Sequence, residues 1–389
     1  MRPRTNPGVS HSAPPPFTLI AAPEGFEEMM STLVQARRMA VDIEADSLYH
    51  YYEKVCLIQV STDNRTFVID PLVIRHLGPL GKLMADPARE KTFHAATYDL
   101  LCLRRDHGFE FQNIFDTHVA AQLIGHEQLG LGALLDKFLG ISHSKHRQRD
   151  DWSRRPLESA QLEYAAADTH YLLQLRDILD RELRQRNRHS WAQEEFRVLL
   201  GAERQEKTFD PEGFRRIKGI KDLTPQQQVA LRALYVLRDR YARAMDLPPF
   251  KVLSNNTLLD LARRPPLHPR ELLHRPGVAA RLAQRIGNEI FRTIKQAGVT
   301  NTIGPRPPEQ KAWKPFSPEA QSRLENLKAW RRSKAGELDL PLGVLFPGGL
   351  LEALAAAPPA DLASLSRIEG MREWRLREFG QEVLNVLRR

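Results

Sequence analysis

The C-terminal part of the chain carries the same helical pattern twice, and that duplication restricts the fold more than any other feature. The first copy runs through an amphipathic stretch, Leu231 to Arg240, a Leu247-Pro248-Pro249 turn, the apolar pair Val252-Leu253, and a second amphipathic stretch, Leu258 to Ala262. The second copy repeats the order: Leu327 to Lys334, Leu340-Pro341, Val344-Leu345-Phe346, and Leu350 to Leu354. A period of about 95 residues with two copies cannot build a solenoid, so the pattern predicts a duplicated small all-α domain. Thr224 followed by Pro225 reads as the cap and first turn of the helix that opens the first copy. The copies are assigned to residues 220–298 and 318–389. Between them, residues 299–317 form a linker, within a stretch (299–320) that holds five prolines. A polar stretch without periodicity, 208–219, is read as a second linker.

The N-terminal half has a different pattern. Met39–Glu44, Val55–Thr62, Thr66–Asp70, Lys91–His94 and Phe111–Phe115 read as strands, and Asp63-Asn64 closes the second and third into a hairpin. A helix is expected to begin at Thr97 with the Thr97 hydroxyl as its cap. From the fifth strand to about residue 200, Leu and Ala recur at helical spacing. Strands that pair locally, followed by strands linked through helices, predict an α/β domain with a mixed sheet over 17–207. Residues 1–16, rich in proline, read as a disordered tail. With 389 residues the chain exceeds one ordinary domain. No apolar run approaches the roughly 20 residues that cross a bilayer, so no membrane is expected as a partner. The two cysteines, Cys56 and Cys102, sit among apolar neighbours without metal-ligand spacing. They read as buried thiols, which makes the cytoplasm the expected compartment.

The formal net charge is +9, and it is unevenly placed. Residues 1–219 carry 29 Lys and Arg against 31 Asp and Glu, whereas residues 220–298 carry 14 against 6. Residues 321–389 carry 11 against 9. A basic excess confined to the first helical block fits a grip on a polyanion such as nucleic acid, and equally an idle basic surface. The second block, nearly balanced, is expected to contribute less, and a catalytic segment within 1–207 is expected to work without either block.

The acidic residues of the N-terminal half are the candidates for chemistry. Asp42 and Glu44 are two apart on a predicted strand and so share a face, where two carboxylates repel unless a cation lies between them. Val41 and Ile43 alternate with them, which suits a central strand. Asp99 lies in the first turn of a helix, in Phe93-His-Ala-Ala-Thr-Tyr-Asp99. Tyr164 and Asp168 are four apart and lie on one helix face, with three alanines between them that permit close approach by another element. Each pattern is commonplace alone. Carboxylate oxygens without a His/Cys cluster select magnesium or manganese over zinc.

In combination these motifs resemble the DEDD family of 3′→5′ exonucleases, tyrosine subgroup, of the ribonuclease D type, which also includes a nuclear exosome subunit. Asp46-Ser47, Cys56-Leu-Ile-Gln59, Phe115-Asp116-Thr117 and Asp151-Trp-Ser-Arg-Arg-Pro-Leu157 extend the match, and the helical copies are similar to paired HRDC domains. The resemblance spans about residues 17–389 and implies a ribonuclease H-like exonuclease domain followed by two small helical domains. It also implies two divalent cations, Mg2+ or Mn2+, held by Asp42, Glu44, Asp99 and Asp168, with Asp42 bridging and Tyr164 orienting water. The implied reaction is phosphodiester hydrolysis at a free 3′-hydroxyl end of RNA, such as a transfer RNA precursor, releasing nucleoside 5′-monophosphates without a small-molecule cofactor. A DNA exonuclease and a catalytically inactive binding protein are the competing readings; the chain has no helicase P-loop.

Weaker candidates surround the last motif. Lys145, Arg147, Arg149, Arg154 and Arg155 suit phosphate contacts or a solvated loop. Trp152 suits stacking on a base or anchoring the loop, and Gln59 suits a contact near the site or a strand amide satisfied by backbone. Asp116 reads first as a helix cap, and His94 as structural.

Overall fold

The computed structural model describes residues 15–143, 146–201, 208–299 and 316–388. The expected tail (1–16) and proline-rich linker (299–317) lie largely outside them, as does Lys145. The described residues form two compact units, one joining 15–45, 55–201 and 316–388, the other joining 46–54 and 208–299.

The first unit is built on six strands: β1 (Thr18–Ile20), β2 (Arg38–Ala45), β3 (Val55–Ser61), β4 (Thr66–Ile69), β5 (Glu90–Phe93) and β6 (Ile114–Asp116). Their order is β1-β4-β3-β2-β5-β6. β2, β3 and β4 are antiparallel neighbours, while β1, β5 and β6 join in parallel, giving the mixed sheet expected. The expected hairpin is present: Ser61 faces Thr66, and Thr62 N–H donates to the Arg65 carbonyl at 2.8 Å. β1 was not legible, because three residues at a sheet edge, with Leu19 exposed, are too short to show alternation. The last strand starts at Ile114 rather than Phe111, although Phe111 is buried.

Eight helices accompany the sheet: α1 (Pro23–Leu33), α2 (Gly78–Ala85), α3 (Thr97–His107), α4 (Thr117–Leu123), α5 (Leu131–Leu139), α6 (Ser159–His170), α7 (Leu172–Gln185) and α8 (His189–Leu200). α3 does begin at Thr97, but Ala96 is its N-cap and no side chain caps it. β2 lies between β3 and β5, and its alternation sorts two environments. Val41 and Ile43, paired with Val60 and Ile58, point into the main core. Asp42 and Glu44, paired with Gln59 and Leu57, point to the opposite face. There α6 lies against the sheet through Ala165 and Ala166, both fully buried, packed with Leu57 and Val68.

The second unit contains α9 (Pro225–Met245), α10 (Pro249–Val252), α11 (Asn255–Arg263) and α12 (Ala280–Val299) around a core that includes Leu231, Leu234, Leu258 and Ile290. Thr224 caps α9 as expected: its hydroxyl accepts from Gln227 N–H, and the Gln227 side chain accepts from Thr224 N–H at 2.9 Å. α9 ends at Asp246 in the left-handed region, φ 47°, and the Asp246 carboxylate accepts from Tyr51 and Tyr52 N–H. Residues 46–54, the connection between β2 and β3, thus belong to this unit.

The chain then returns to the first unit as α13 (Pro318–Leu338), α14 (Leu342–Leu345), α15 (Gly348–Ala356), α16 (Leu362–Leu365) and α17 (Glu373–Leu387). The duplication is literal: Pro225 and Pro318, Asn255 and Gly348, and Ala280 and Glu373, each pair opening equivalent helices, are all 93 residues apart. Both long helices end on an aspartate with positive φ, Asp246 and Asp339.

This second copy shares one core with the nuclease segment. Trp374 of α17 stacks on Trp191 of α8 with ring centroids 4.4 Å apart. Glu194 of α8 accepts from the N–H groups of Glu373 and Trp374 at 2.7 and 2.9 Å, satisfying donors at the start of α17. Glu195 accepts from the Trp374 indole and pairs with Arg372 and Arg375. The Arg188 guanidinium bridges the carbonyls of Leu123 and Leu338. The second copy is therefore packed as part of the nuclease core, and its removal would strip from α8 the buried Trp374 and Arg375 and the half-buried Arg372.

Candidate active site

Asp42 and Glu44 reach the site from β2, and Asp168 reaches it from α6. One carboxylate oxygen from each lies within 4.8 Å of the others. α6 is seated by hydroxyl contacts that begin at the residue after Asp168. Ser61 bonds Thr169 at 2.7 Å and Thr66 at 2.9 Å, and Thr66 bonds His170 at 2.9 Å. Tyr164 lies one turn before Asp168 on the same helix, beside its carboxylate.

Asp99 stands outside this tight trio but close enough to act on it. It enters from the first turn of α3, after Ala95, which takes a positive φ of 61°. That strained turn is held by Asp116, whose carboxylate accepts from Ala95 and Ala96 N–H while also capping α4 through His118 and Val119 N–H. The capping reading of Asp116 is thus correct but incomplete: the same side chain fixes the loop that presents Asp99. His94 bonds Thr117, a structural role.

The electrostatics follow from crowding. Burial, then the charges of Asp99, Asp168 and Glu44, hold the Asp42 carboxyl well above the usual range. Glu44 is raised by burial and by Asp168 and Asp99, and Asp99 by burial and by Asp116 and Asp168. Asp168 is raised by burial, partly offset by His143. The Tyr164 phenol is pushed far up, first by burial and then by Asp168, Glu44 and Asp42, so it stays neutral. Among the described residues, no Lys or Arg forms an ion pair with any of the four carboxylates. Four hard oxygen donors gathered without a protein cation fit a divalent ion, which would relieve the repulsion among them.

Sequence reasoning passed over two neighbours. His143, on a loop, hydrogen-bonds Asp168 at 2.8 Å, and Asp150 adds its charge to Glu44 and Tyr164. Neither has a spacing that could announce it.

The weaker candidates separate by exposure. Gln59 is fully buried beneath α6 with neither amide atom partnered among the described residues, and Trp152 is 1% exposed and stacks on Tyr164. Neither is placed to touch nucleic acid, and Trp152 anchors its loop. Arg147 is held by Asp150 and Glu158. Arg155 grips Asp70 through two nitrogens and also binds the Cys56 carbonyl, so it fastens the loop to the sheet. Arg149 and Arg154 are exposed. Both cysteines are buried and free.

Comparison with known proteins adds independent information. Residues 17–184 match the family model described as 3′-5′ exonuclease, and residues 227–294 and 320–387 match the HRDC domain. The chain is 31% identical over 360 residues to a ribonuclease D of Pseudomonas paraeruginosa, covering 90% of this chain and 92% of that protein. It is 36% identical over 255 residues to the exosome complex component 10 homolog of Caenorhabditis elegans, covering 64% of this chain but only 29% of that longer protein. In fold it resembles the crystal structure of Escherichia coli RNase D, with a TM-score of 0.68, 24% identity, and coverage of 96% and 99% of the two chains.

Proposed function

Since the chain belongs to the ribonuclease D family and is a 3′→5′ exoribonuclease acting on RNA, we propose that Asp42, Glu44, Asp99 and Asp168 hold two Mg2+ or Mn2+ ions at which the terminal phosphodiester is hydrolysed. One observation carries the proposal: Asp42, Glu44 and Asp168 converge within 4.8 Å, with Tyr164 one turn before Asp168 on the same helix. Asp42, on which the other three charges act, would hold both ions. Glu44 and Asp168 would hold one ion beside Tyr164, and Asp99 would hold the other. When bound, such a pair of cations activates water and stabilises the leaving 3′-oxygen. The Tyr164 hydroxyl, unable to ionise in this setting, orients the attacking water rather than deprotonating it. The products are nucleoside 5′-monophosphates, and the substrates are RNAs with a free 3′-hydroxyl, transfer RNA precursors among them. Two buried thiols suit a reducing compartment, the cytoplasm.

The grip on the body of the RNA is assigned to α12. Arg281, Arg285, Arg292 and Lys295 are exposed and in no ion pair among the described residues. At 100° per residue they fall on one stripe about 21 Å long, suited to successive phosphates of a strand.

The test uses RNA labelled at its 5′ end, with either a hydroxyl or a phosphate at its 3′ end, with magnesium and with a chelator. Stepwise shortening of the 3′-hydroxyl substrate, in magnesium alone and with release of 5′-mononucleotides, is the expected result. Equal cleavage in chelator, or internal cuts in both substrates, would contradict it.

A further inference from the structure

We propose that His143 is a positioning residue that orients the Asp168 carboxylate toward Asp42 and Glu44. The inference rests on the metal-site reading above and adds to it a residue outside the carboxylate and tyrosine motifs. His143 Nε2 lies 2.8 Å from Asp168 Oδ1, and both side chains are nearly buried, at 8% and 10% exposure. An ionised carboxylate can only accept, so the imidazole carries its proton on Nε2 and donates. The His143 ring also stacks on Tyr164, with centroids 5.4 Å apart and planes 24° from parallel.

The contact is held from both sides. On one side, α5 ends at Gly140, in the left-handed region with φ 67°. Gly140 N–H donates to the Asp136 carbonyl and Ile141 N–H to that of Leu135, which folds the chain back over α5. It passes so closely that a Cβ on Gly132 would sit 2.7 Å from the His143 carbonyl oxygen. Gly132 and Gly140 together fix where the His143 backbone lies. On the other side, Thr169 and His170 fasten α6 to Ser61 and Thr66 immediately after Asp168.

The physical need is specific. Asp168 faces two other carboxylates, which repel it when they are ionised. A donor on Oδ1 holds one oxygen and leaves the other to ligate. Groups that hold a metal-ligating side chain in this way alter cation affinity by roughly 10- to 100-fold when removed.

The experiment is calorimetric titration of the full chain with MnCl2, without RNA, on the wild type, His143→Leu, His143→Gln and Asp168→Asn. Leucine fills the space without a donor, whereas glutamine places an N–H near the Nε2 position. His143→Leu is expected to weaken Mn2+ binding roughly 10- to 100-fold, and His143→Gln to restore most of it. Wild-type affinity in His143→Leu, or equal weakness in His143→Gln and His143→Leu, would overturn the assignment. If His143→Leu does not fold, His143→Gln against wild type still decides: near-wild-type binding supports the hydrogen bond, and a loss as large as that of Asp168→Asn refutes it. Asp168→Asn separates this inference from the one beneath it. Unchanged Mn2+ binding there would sink the metal site itself, whereas lost binding there with unchanged binding in His143→Leu would sink only the role of His143.

Discussion

The two helical copies share their architecture residue for residue in register, and differ in what one face does. Ninety-three residues separate α12 from α17, so Arg281 and Arg285 of the first correspond to Trp374 and Glu378 of the second. In the second copy, that face is turned inward: Trp374 is fully buried against Trp191, and Glu378 accepts from the Trp191 indole at 3.4 Å. In the first copy, the same face is exposed and basic. The apolar positions that make each core were kept, as Leu234 and Leu327, both fully buried, illustrate. Duplication thus supplied two copies of one scaffold, and exchanging a few surface residues gave one a docking face and the other a charged face.

The contrast can be broken most forcefully at its apolar end. Trp374→Ala should cost the first unit roughly 3–5 kcal/mol, the usual range for deleting a fully buried aromatic ring. In a thermal melt the nuclease unit should therefore unfold earlier, and exonuclease activity should be lost at lower temperature. A melt and activity profile indistinguishable from wild type would mean that the second copy is not part of the nuclease core.

At the charged end, Arg281→Ala, Arg285→Ala and Arg292→Ala together should leave the melt unchanged, since alanine favours helix and these side chains are exposed. Affinity for RNA should fall roughly tenfold or more, and the log–log salt slope of binding should shrink by about 2, the value for three lost contacts to a single strand. Turnover at saturating RNA should stay close to wild type. A triple variant with wild-type affinity and slope would move the grip elsewhere.

A smaller effect separates the two units by pH. In the first unit, burial and mutual repulsion raise Asp42, Glu44 and Asp99 above the ordinary carboxylate range. The folded state then binds more protons than the unfolded state, so this contribution to stability is full below about pH 4 and is lost as pH rises through the raised values. In chelator, the first unit should melt at higher temperature near pH 5 than near pH 7.5, and MnCl2 should stabilise it more at pH 7.5. The transition of the second unit should not respond to Mn2+. Equal Mn2+ stabilisation at both pH values would contradict this electrostatic picture.

Much of this was legible in the chain, and the rest was hidden for physical reasons. Alternation in Val41-Asp42-Ile43-Glu44 gave both the strand and the common face of its acids, because period two is a local property. The four-residue step from Tyr164 to Asp168 likewise fixed a shared helix face. The capping of α9 by Thr224 and the hairpin at Asp63-Asn64 are local too. What was not legible is contact across the chain. Trp191 and Trp374 look like ordinary apolar helix positions until the tertiary fold stacks them. His143 has no periodic relation to Asp168, and only Gly132 and Gly140 hint at the tight return that places it. Gln59 and Trp152, taken as possible contacts to nucleic acid, are polar or aromatic groups that α6 and the loop bury.

The central claim is that the carboxylates facing α6 form the metal centre of a 3′→5′ exoribonuclease, and Asp42 tests it most directly. Asp42→Ala removes the group on which the other three charges act. Initial rates on a 5′-labelled RNA with a free 3′-hydroxyl, in saturating magnesium, should fall by at least about a thousandfold, as for loss of a group that acts only on the transition state. RNA affinity measured by filter binding should stay near wild type, because the grip is assigned to α12. Turnover within a few-fold of wild type for a folded Asp42→Ala protein would contradict the account.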